Sequence, residues 1–381
     1  MPVNASQEIL DIKKMVRGFV RKEIFPVECE IDNNKKIPDH LIKKFRELGF
    51  YGITIPKEYG GLGLGTLGYC MILEELAQAN AGIRTHIHVN NSIGSKAILI
   101  DGSEEQKKKF LPALAAGEKI ACFGLTEPNA GSDAAAIETT AVKDGRDWVI
   151  NGTKHFITNG PTADVCTLMA LTDREKRGRG GITAFIVEKG MKGFSVGQVH
   201  DAMGGHGAQQ SELIFEDCRV PEENVIGQVG QGFATAMRTL DDGRLTLSAA
   251  ALGMAQRALD LAVEYSKKRV QFGKPICKNQ AVQFLLADMA TGIHAARTML
   301  LDAAERSDNG ENIAKEASMI KLFTSEMAWK VVDQALQIHG GMGYMKECPI
   351  ERIYRDIRIM RIVEGTSEIQ RIIISRHLLK D

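Results

Sequence analysis

No stretch of the 381-residue chain approaches the roughly 18 consecutive apolar residues that a membrane-spanning helix needs. The start, MPVNASQEILDIKKMVRGFV, lacks the apolar core of a secretory signal and carries acids and bases at helical spacing instead. Charge of one sign is missing too. Lys plus Arg and Asp plus Glu both number 48, so no net field draws in nucleic acid or an anionic membrane. The seven cysteines, at 29, 70, 122, 166, 218, 277 and 348, form no CxxC pair, and their odd number speaks against a disulfide framework or a zinc site. His86 and His88 stand two apart, on different sides of a helix, which is poor spacing for metal ligands. Internal repeats and low-complexity tracts are absent. What remains is the expectation of a cytoplasmic protein without metal, membrane or nucleic-acid partner, long enough for more than one domain.

Three segments follow one another. Residues 1–120 read as helical: Ile9, Ile12, Val16, Val20 and Ile24 recur every three or four residues. A second helix is expected over 39–48 with Asp39 as its cap, and a third over 67–79. From 121 to 229 the pattern is β. WVINGTKHFIT (148–158) reads as a hairpin around Asn151-Gly152, and strands are expected at 165–171, 182–187 and 212–215, as in a small barrel or sandwich. RGRGG (177–181) is expected as an exposed loop. Helical periodicity returns over 230–381, with long stretches at 280–308, 312–338 and 367–379, as in a four-helix bundle.

Gly63-x-Gly65-x-x-Gly68 matches the dinucleotide fingerprint letter by letter. Such a fingerprint follows a strand, opens a βαβ unit and has an acid about 20 residues on. Here no βαβ alternation follows and residue 88 is His, so the stretch reads as a glycine loop. CFGLTEPNAGSD (122–133), at the change from helical to β pattern, reads on its own residues as a capped turn, although such a loop can also offer backbone N–H and hydroxyl donors to a heterocycle or phosphate.

Taken with KRVQFGKPI (268–276), QIHGGMGY (337–344) and YRDIRIMRIVEGTSEIQR (354–371), that loop resembles the acyl-CoA dehydrogenase family along essentially the whole chain. The resemblance implies a mainly α fold with an N-terminal helical domain, a middle β-barrel domain and a C-terminal four-helix bundle. It also implies non-covalent FAD, a homotetramer and an electron-transfer flavoprotein as partner. By the same resemblance Phe123, Leu125, Thr126, Gly131 and Ser132 would hold the flavin and its phosphates, with Ser132 also touching substrate. Phe156-Ile157-Thr158 takes the place usually written Trp-Ile-Thr beside the reactive flavin nitrogen. Arg269, Phe272 and Gln280 would reach a neighbouring subunit's FAD, as would the strip Gln337, Ile338, His339, Gly340 and Gly341 along its diphosphate. The family strip often has Leu where His339 stands, and a buried, bonded imidazole is expected there. Thr366 and Glu368 match the last FAD contacts. Asp241 and Arg244 match residues that hold CoA, and Asn91, Ser92 and Gly365 complete the substrate contacts.

Glu364, in VEGT, matches the base that removes the α-proton of the thioester while hydride leaves Cβ on the opposite side for the flavin. Arg84 takes the place of an Arg that in glutaryl-CoA dehydrogenases pairs the distal carboxylate of the substrate, a task suited to a guanidinium fork. A surface Arg at a helix start is the other reading of that residue. Val363 replaces the Tyr that precedes the base in most relatives, and Ala77 stands where decarboxylating enzymes have a Glu. The expectation is a dicarboxylic mono-CoA thioester, of glutaryl or benzylsuccinyl type, oxidised without loss of CO₂. The alternatives are a short, medium or branched monocarboxylic acyl-CoA, an acyl-CoA oxidase, and an inactive scaffold homologue. His206 replaces the usual Arg of its loop.

Overall fold

The computed structural model describes residues 5–380. The N-terminal segment holds helices α1 (Gln7–Phe19), α2 (Glu28–Asn34), α3 (Asp39–Glu47), α4 (Thr66–Leu76), α5 (Ala81–Asn91), α6 (Ile93–Asp101) and α7 (Glu104–Ala115). Ser6 caps α1 by accepting from the Ile9 N–H, and Ser103 and Gln106 cap α7 reciprocally. Asp39 is the first residue of α3 rather than its cap: Pro38 holds that position, and no side chain bonds the free amides. The glycine run follows no strand and leads straight into α4, with Gly68 inside the helix, so the dinucleotide reading falls.

The middle strands are β1 (Ala121–Gly124), β2 (Thr140–Asp144), β3 (Asp147–Thr158), β4 (Val165–Leu171), β5 (Ile182–Glu188), β6 (Phe194–His200), β7 (Gln210–Pro221) and β8 (Val225–Ile226). They form one eight-stranded sheet whose hydrogen-bonded path runs β6-β7-β3-β2-β4-β5-β8, with β1 parallel to β4. The sheet wraps its own core of Trp148, Ile150, Leu168, Phe185, Leu213 and Phe215.

The expected hairpin at Asn151-Gly152 is not there. β3 runs unbroken through both residues, and the turn comes earlier, at Gly145, where Asp144 and Asp147 pair. Asn151 is taken up by two hydrogen bonds with Asp217, 3.1 and 2.8 Å, at a register shift between β3 and β7. Gly152 is needed because any Cβ would strike Thr139.

The C-terminal segment is α8 (Gly232–Lys268), a short hairpin of β9 (Val270–Gln271) and β10 (Lys274–Pro275), then α9 (Gln280–Asp308), α10 (Ala314–His339), α11 (Pro349–Ile357) and α12 (Ser367–Leu378). α8 packs on α9, α10 and the N-terminal α4. One hydrophobic core therefore joins the first and last segments, from Val16, Tyr69 and Leu73 to Leu252, Ile320 and Ile353. This shared core brings the end of the chain onto α4 and α5. Among the described residues no helix is long and apolar enough to cross a membrane.

Candidate active site

Between α11 and α12 a tight turn carries Glu364 at φ 55°, a left-handed conformation that costs a non-glycine residue on the order of 1–3 kcal/mol unless its surroundings enforce it. Three side chains do so. Gln370 donates to the Glu364 and Gly365 carbonyls at 3.0 and 2.9 Å, Lys321 of α10 donates to Gly365 at 2.7 Å, and Arg244 of α8 reaches the Glu364 carbonyl at 3.4 Å. Burial pushes the Lys321 ammonium down to about 8, against the pull of Glu364. Arg244 is itself clamped by Asp241 one turn away, whose carboxyl burial holds above its usual value. Asp241, Arg244, Glu364 and Gly365 thus meet in one place.

The Glu364 carboxylate is enclosed, and its Oε2 has no partner among the described residues. It lies against Gly243 of α8, where a Cβ would collide with that oxygen. On its other side Nε2 of His88 lies 3.7 Å from Oε1 and is likewise unpartnered. The far nitrogen of His88 meets the Tyr69 hydroxyl at 3.2 Å. One turn before His88 on α5, Arg84 is only 3% exposed, and its guanidinium makes no hydrogen bond or ion pair with any described residue. Burial pushes it down to about 10, while Asp356, Tyr69 and Glu364 pull the other way without bonding it. The reading of Arg84 as a surface residue is therefore wrong. Ser92, at the break between α5 and α6, is also buried with a free hydroxyl. Asn91 is different: its amide serves Phe50, Ile87 and Thr54, so its donors hold the fold and none is left for a ligand.

A second set of residues lies on the loop after β1 and on β3. The loop after β1 carries Leu125 and Thr126, following Phe123 in the strand. It is tied to β3 through the His155 N–H, which donates to the Thr126 carbonyl at 2.8 Å. Fully buried Lys154 donates to the Leu125 carbonyl at 3.1 Å and to Glu127 at 2.6 Å. Burial lowers Lys154 to about 8, against Glu127. The next residues, His155 and Phe156, share the place opposite Glu212 on β7. This bulge sets Phe156 at φ 59° and leaves the residue 59% exposed. Ile157 turns into the sheet core, Thr158 stays half-buried, and Gly131 and Ser132 are open on the loop. Asn159 then exchanges two hydrogen bonds with His86, at its ring and its carbonyl, locking the end of β3 to α5.

An exposed aromatic face, open glycine backbone and nearby hydroxyls fit a flat heterocycle with a phosphate tail, so the residues suit FAD. Arg269, Phe272, Gln280, Gln337, Gly340 and Gly341 instead lie outward, on the β9–β10 hairpin and at helix ends, with Phe272 98% exposed. The His339 side chain does not belong with them. It is buried, bonds the Ala335 carbonyl at 2.7 Å and stacks on Tyr265, so only its backbone can join a cofactor strip. Ile338 is buried as well. Thr366 caps α12 by accepting from Ile369, and Glu368 is exposed in the first turn. His206 now has an account: it bonds Asp32 at 2.8 Å and the Ala202 carbonyl at 3.0 Å, fastening its loop to α2.

Tyr69, Gly243, Lys321 and Gln370 carry no signal in the sequence, and His88 is weighed there only as a metal ligand, not as a neighbour of Glu364. Nothing short-range marks them, since each acquires its place from a segment distant in the chain.

Comparison with known proteins covers nearly the whole length. Family models match at residues 6–118 (acyl-CoA dehydrogenase, N-terminal domain), 122–218 (middle domain) and 230–379 (C-terminal domain). An acyl-CoA dehydrogenase of Bacillus subtilis is 46% identical over 377 residues, 99% of each chain. A chain from a structure reported for the electron transferring flavoprotein of Acidaminococcus fermentans superposes with a TM-score of 0.97 at 46% identity, covering all of both chains. Butyryl-CoA dehydrogenase from Megasphaera elsdenii does so with a TM-score of 0.96 at 42% identity, again over 100% of each.

Proposed function

Because the chain belongs to the acyl-CoA dehydrogenase family of FAD-dependent oxidoreductases, we propose that it converts an acyl-CoA bearing a distal carboxylate to the 2-enoyl-CoA, with Glu364 as the base. One observation carries the substrate class: Arg84 is a buried cation without a partner among the described residues, one turn from the histidine beside Glu364. Removing an isolated charge from water costs several kcal/mol, and an anionic ligand end would offset that cost.

Bound FAD supplies the hydride acceptor. The chain's own part is position and charge. Glu364, enclosed and with Oε2 unpartnered, takes the α-proton. Its backbone N–H, fixed by the left-handed turn, is the donor to the thioester oxygen, and such preorganised donors are worth several kcal/mol. Asp241 and Arg244 hold the CoA side and steady the turn, Ser92 offers a free hydroxyl, and Arg84 receives the far carboxylate. Leu125, Thr126, Ser132, Phe156 and Thr158 hold the flavin. Arg269, Phe272, Gln280, the backbone of 337–341, Thr366 and Glu368 complete the cofactor site, the outward ones for a neighbouring copy in a tetramer. Segments 1–120, 121–229 and 230–381 act as the three domains, in the cytoplasm, with an electron-transfer flavoprotein as acceptor. Ala77 and Val363 are apolar where decarboxylating enzymes of the family carry a Glu and a Tyr, so the carboxylate is kept.

The test compares kcat/KM for glutaryl-CoA or benzylsuccinyl-CoA with a monocarboxylic thioester of equal length. The dicarboxylic substrate should be preferred, and Arg84→Ala should cut that preference by about 2–5 kcal/mol, with no CO₂ released from labelled substrate. A ratio that does not move with the substitution leaves the monocarboxylic short-chain reading, which the likeness to butyryl-CoA dehydrogenase favours.

A further inference from the structure

The polar groups of α4 and α5 around Glu364 form a chain that the reaction as described does not use. Tyr69 on α4 is fully buried, and its hydroxyl has one partner, Nδ1 of His88 at 3.2 Å. The two rings lie nearly parallel, 16° apart. Burial raises the Tyr69 hydroxyl well above its usual value, so it keeps its proton and is a donor. Among the described residues it bonds no other acceptor, so that proton goes to His88 Nδ1. A neutral imidazole that accepts at Nδ1 has its only proton at Nε2. That nitrogen is buried, bonds nothing among the described residues, and lies 3.7 Å from Glu364 Oε1.

We propose that Tyr69 and His88 form a positioning relay for the base. Tyr69 fixes the tautomer of His88, and the His88 Nε2–H holds Glu364 Oε1, which leaves Oε2 as the oxygen that takes the α-proton. The proposal rests on the reading of Glu364 as base. Its geometric support is that Oε2 lies in a niche that exists only because residue 243 is glycine, while Oε1 is the oxygen turned to His88. Closing the 3.7 Å gap to a hydrogen bond needs less than 1 Å of movement, as expected when a thioester enters and the site tightens. The other charged groups facing the carboxylate and its turn are Arg84 on α5, Asp241 and Arg244 on α8, and Lys321 on α10.

Two readouts test it, one independent of turnover. In ¹⁵N-histidine-labelled holoenzyme, His88 should show the Nε2–H tautomer, and Tyr69→Phe should turn it into a mixture. In kinetics, Tyr69→Phe should lower kcat roughly 10–100-fold with KM nearly unchanged and with an altered pH profile, as loss of an orienting partner does elsewhere. His88→Gln, which keeps a donor, should recover part of the loss seen in His88→Leu. An Nδ1–H tautomer in the wild type overturns the relay. So does a Tyr69→Phe enzyme with wild-type kcat and pH profile. If His88→Leu fails to fold, the tautomer and Tyr69→Phe still decide. An active Glu364→Gln would instead remove the base assignment, whereas an inactive one beside an indifferent Tyr69→Phe removes the relay alone.

Discussion

At the scale of single residues the site is a set of groups denied their usual partners. Oε2 of Glu364, Nε2 of His88, the Arg84 guanidinium and the Ser92 hydroxyl are all buried and unbonded among the described residues, within a small region. Folded proteins satisfy most buried polar groups, so four such groups together mark a place built for a ligand. Glu364→Gln keeps the shape of the base but cannot accept a proton. We expect it to retain FAD and thioester binding and to lose substrate-driven bleaching of the flavin by several orders of magnitude in stopped flow. Activity within tenfold of wild type would place the base elsewhere. Glu127 is a poor candidate because Lys154 and the Glu138 and Thr139 amides already occupy it. Glu368 is exposed.

At the scale of elements, β3 does the most. Its bulge turns Phe156 outward, Lys154 anchors the β1 loop, and Asn159 fastens the strand end to α5. One strand thereby fixes the loop after β1 relative to α5. Burial alone would raise the Glu127 carboxyl, but Lys154 and the amides outweigh it and hold it below the usual 4.5. Because the folded value is the lower one, the stabilisation is complete above the unfolded value and is lost as pH falls through the folded one. Lys154→Met would leave Glu127 buried without its cation. We expect a loss of about 3–5 kcal/mol in chemical denaturation, together with weaker FAD retention, because the Leu125 carbonyl is released as well. Unchanged stability would mean that water reaches the pair.

For the whole molecule, the apolar surface is uneven. Phe272, Phe284, Met342 and Tyr344 are exposed on the β9–β10 hairpin, the start of α9 and the turn after α10, where Arg269, Gln280 and Gln337 also face outward. Exposed aromatic side chains of this size call for a cover. We expect light scattering to give a mass several times that of one chain, and Phe272→Asp to shift it toward the monomer with loss of FAD. A monomer that holds FAD tightly would contradict an assembly-dependent site.

The order helical, β, helical could be read from the chain because periodicity is a local property: repeats of 3.6 and 2 residues show which face is apolar without any tertiary contact. The family resemblance of residues 122–133 and of the VEGT turn could be read because each is a contiguous motif. The Asn151-Gly152 hairpin was misread because a turn signal is also what a bulged strand needs where another backbone comes close, as Thr139 does here. His86 and His88 do point to different sides, as their spacing says, yet one anchors Asn159 and the other lies beside the Glu364 carboxylate. Only the core shared by α4, α8 and α10 brings residue 364 to residue 88. Sequence alone determined the order of helical and β segments and which titratable side chains the chain carries. Tertiary packing decided which buried groups are left without partners, because that depends on every element that surrounds them.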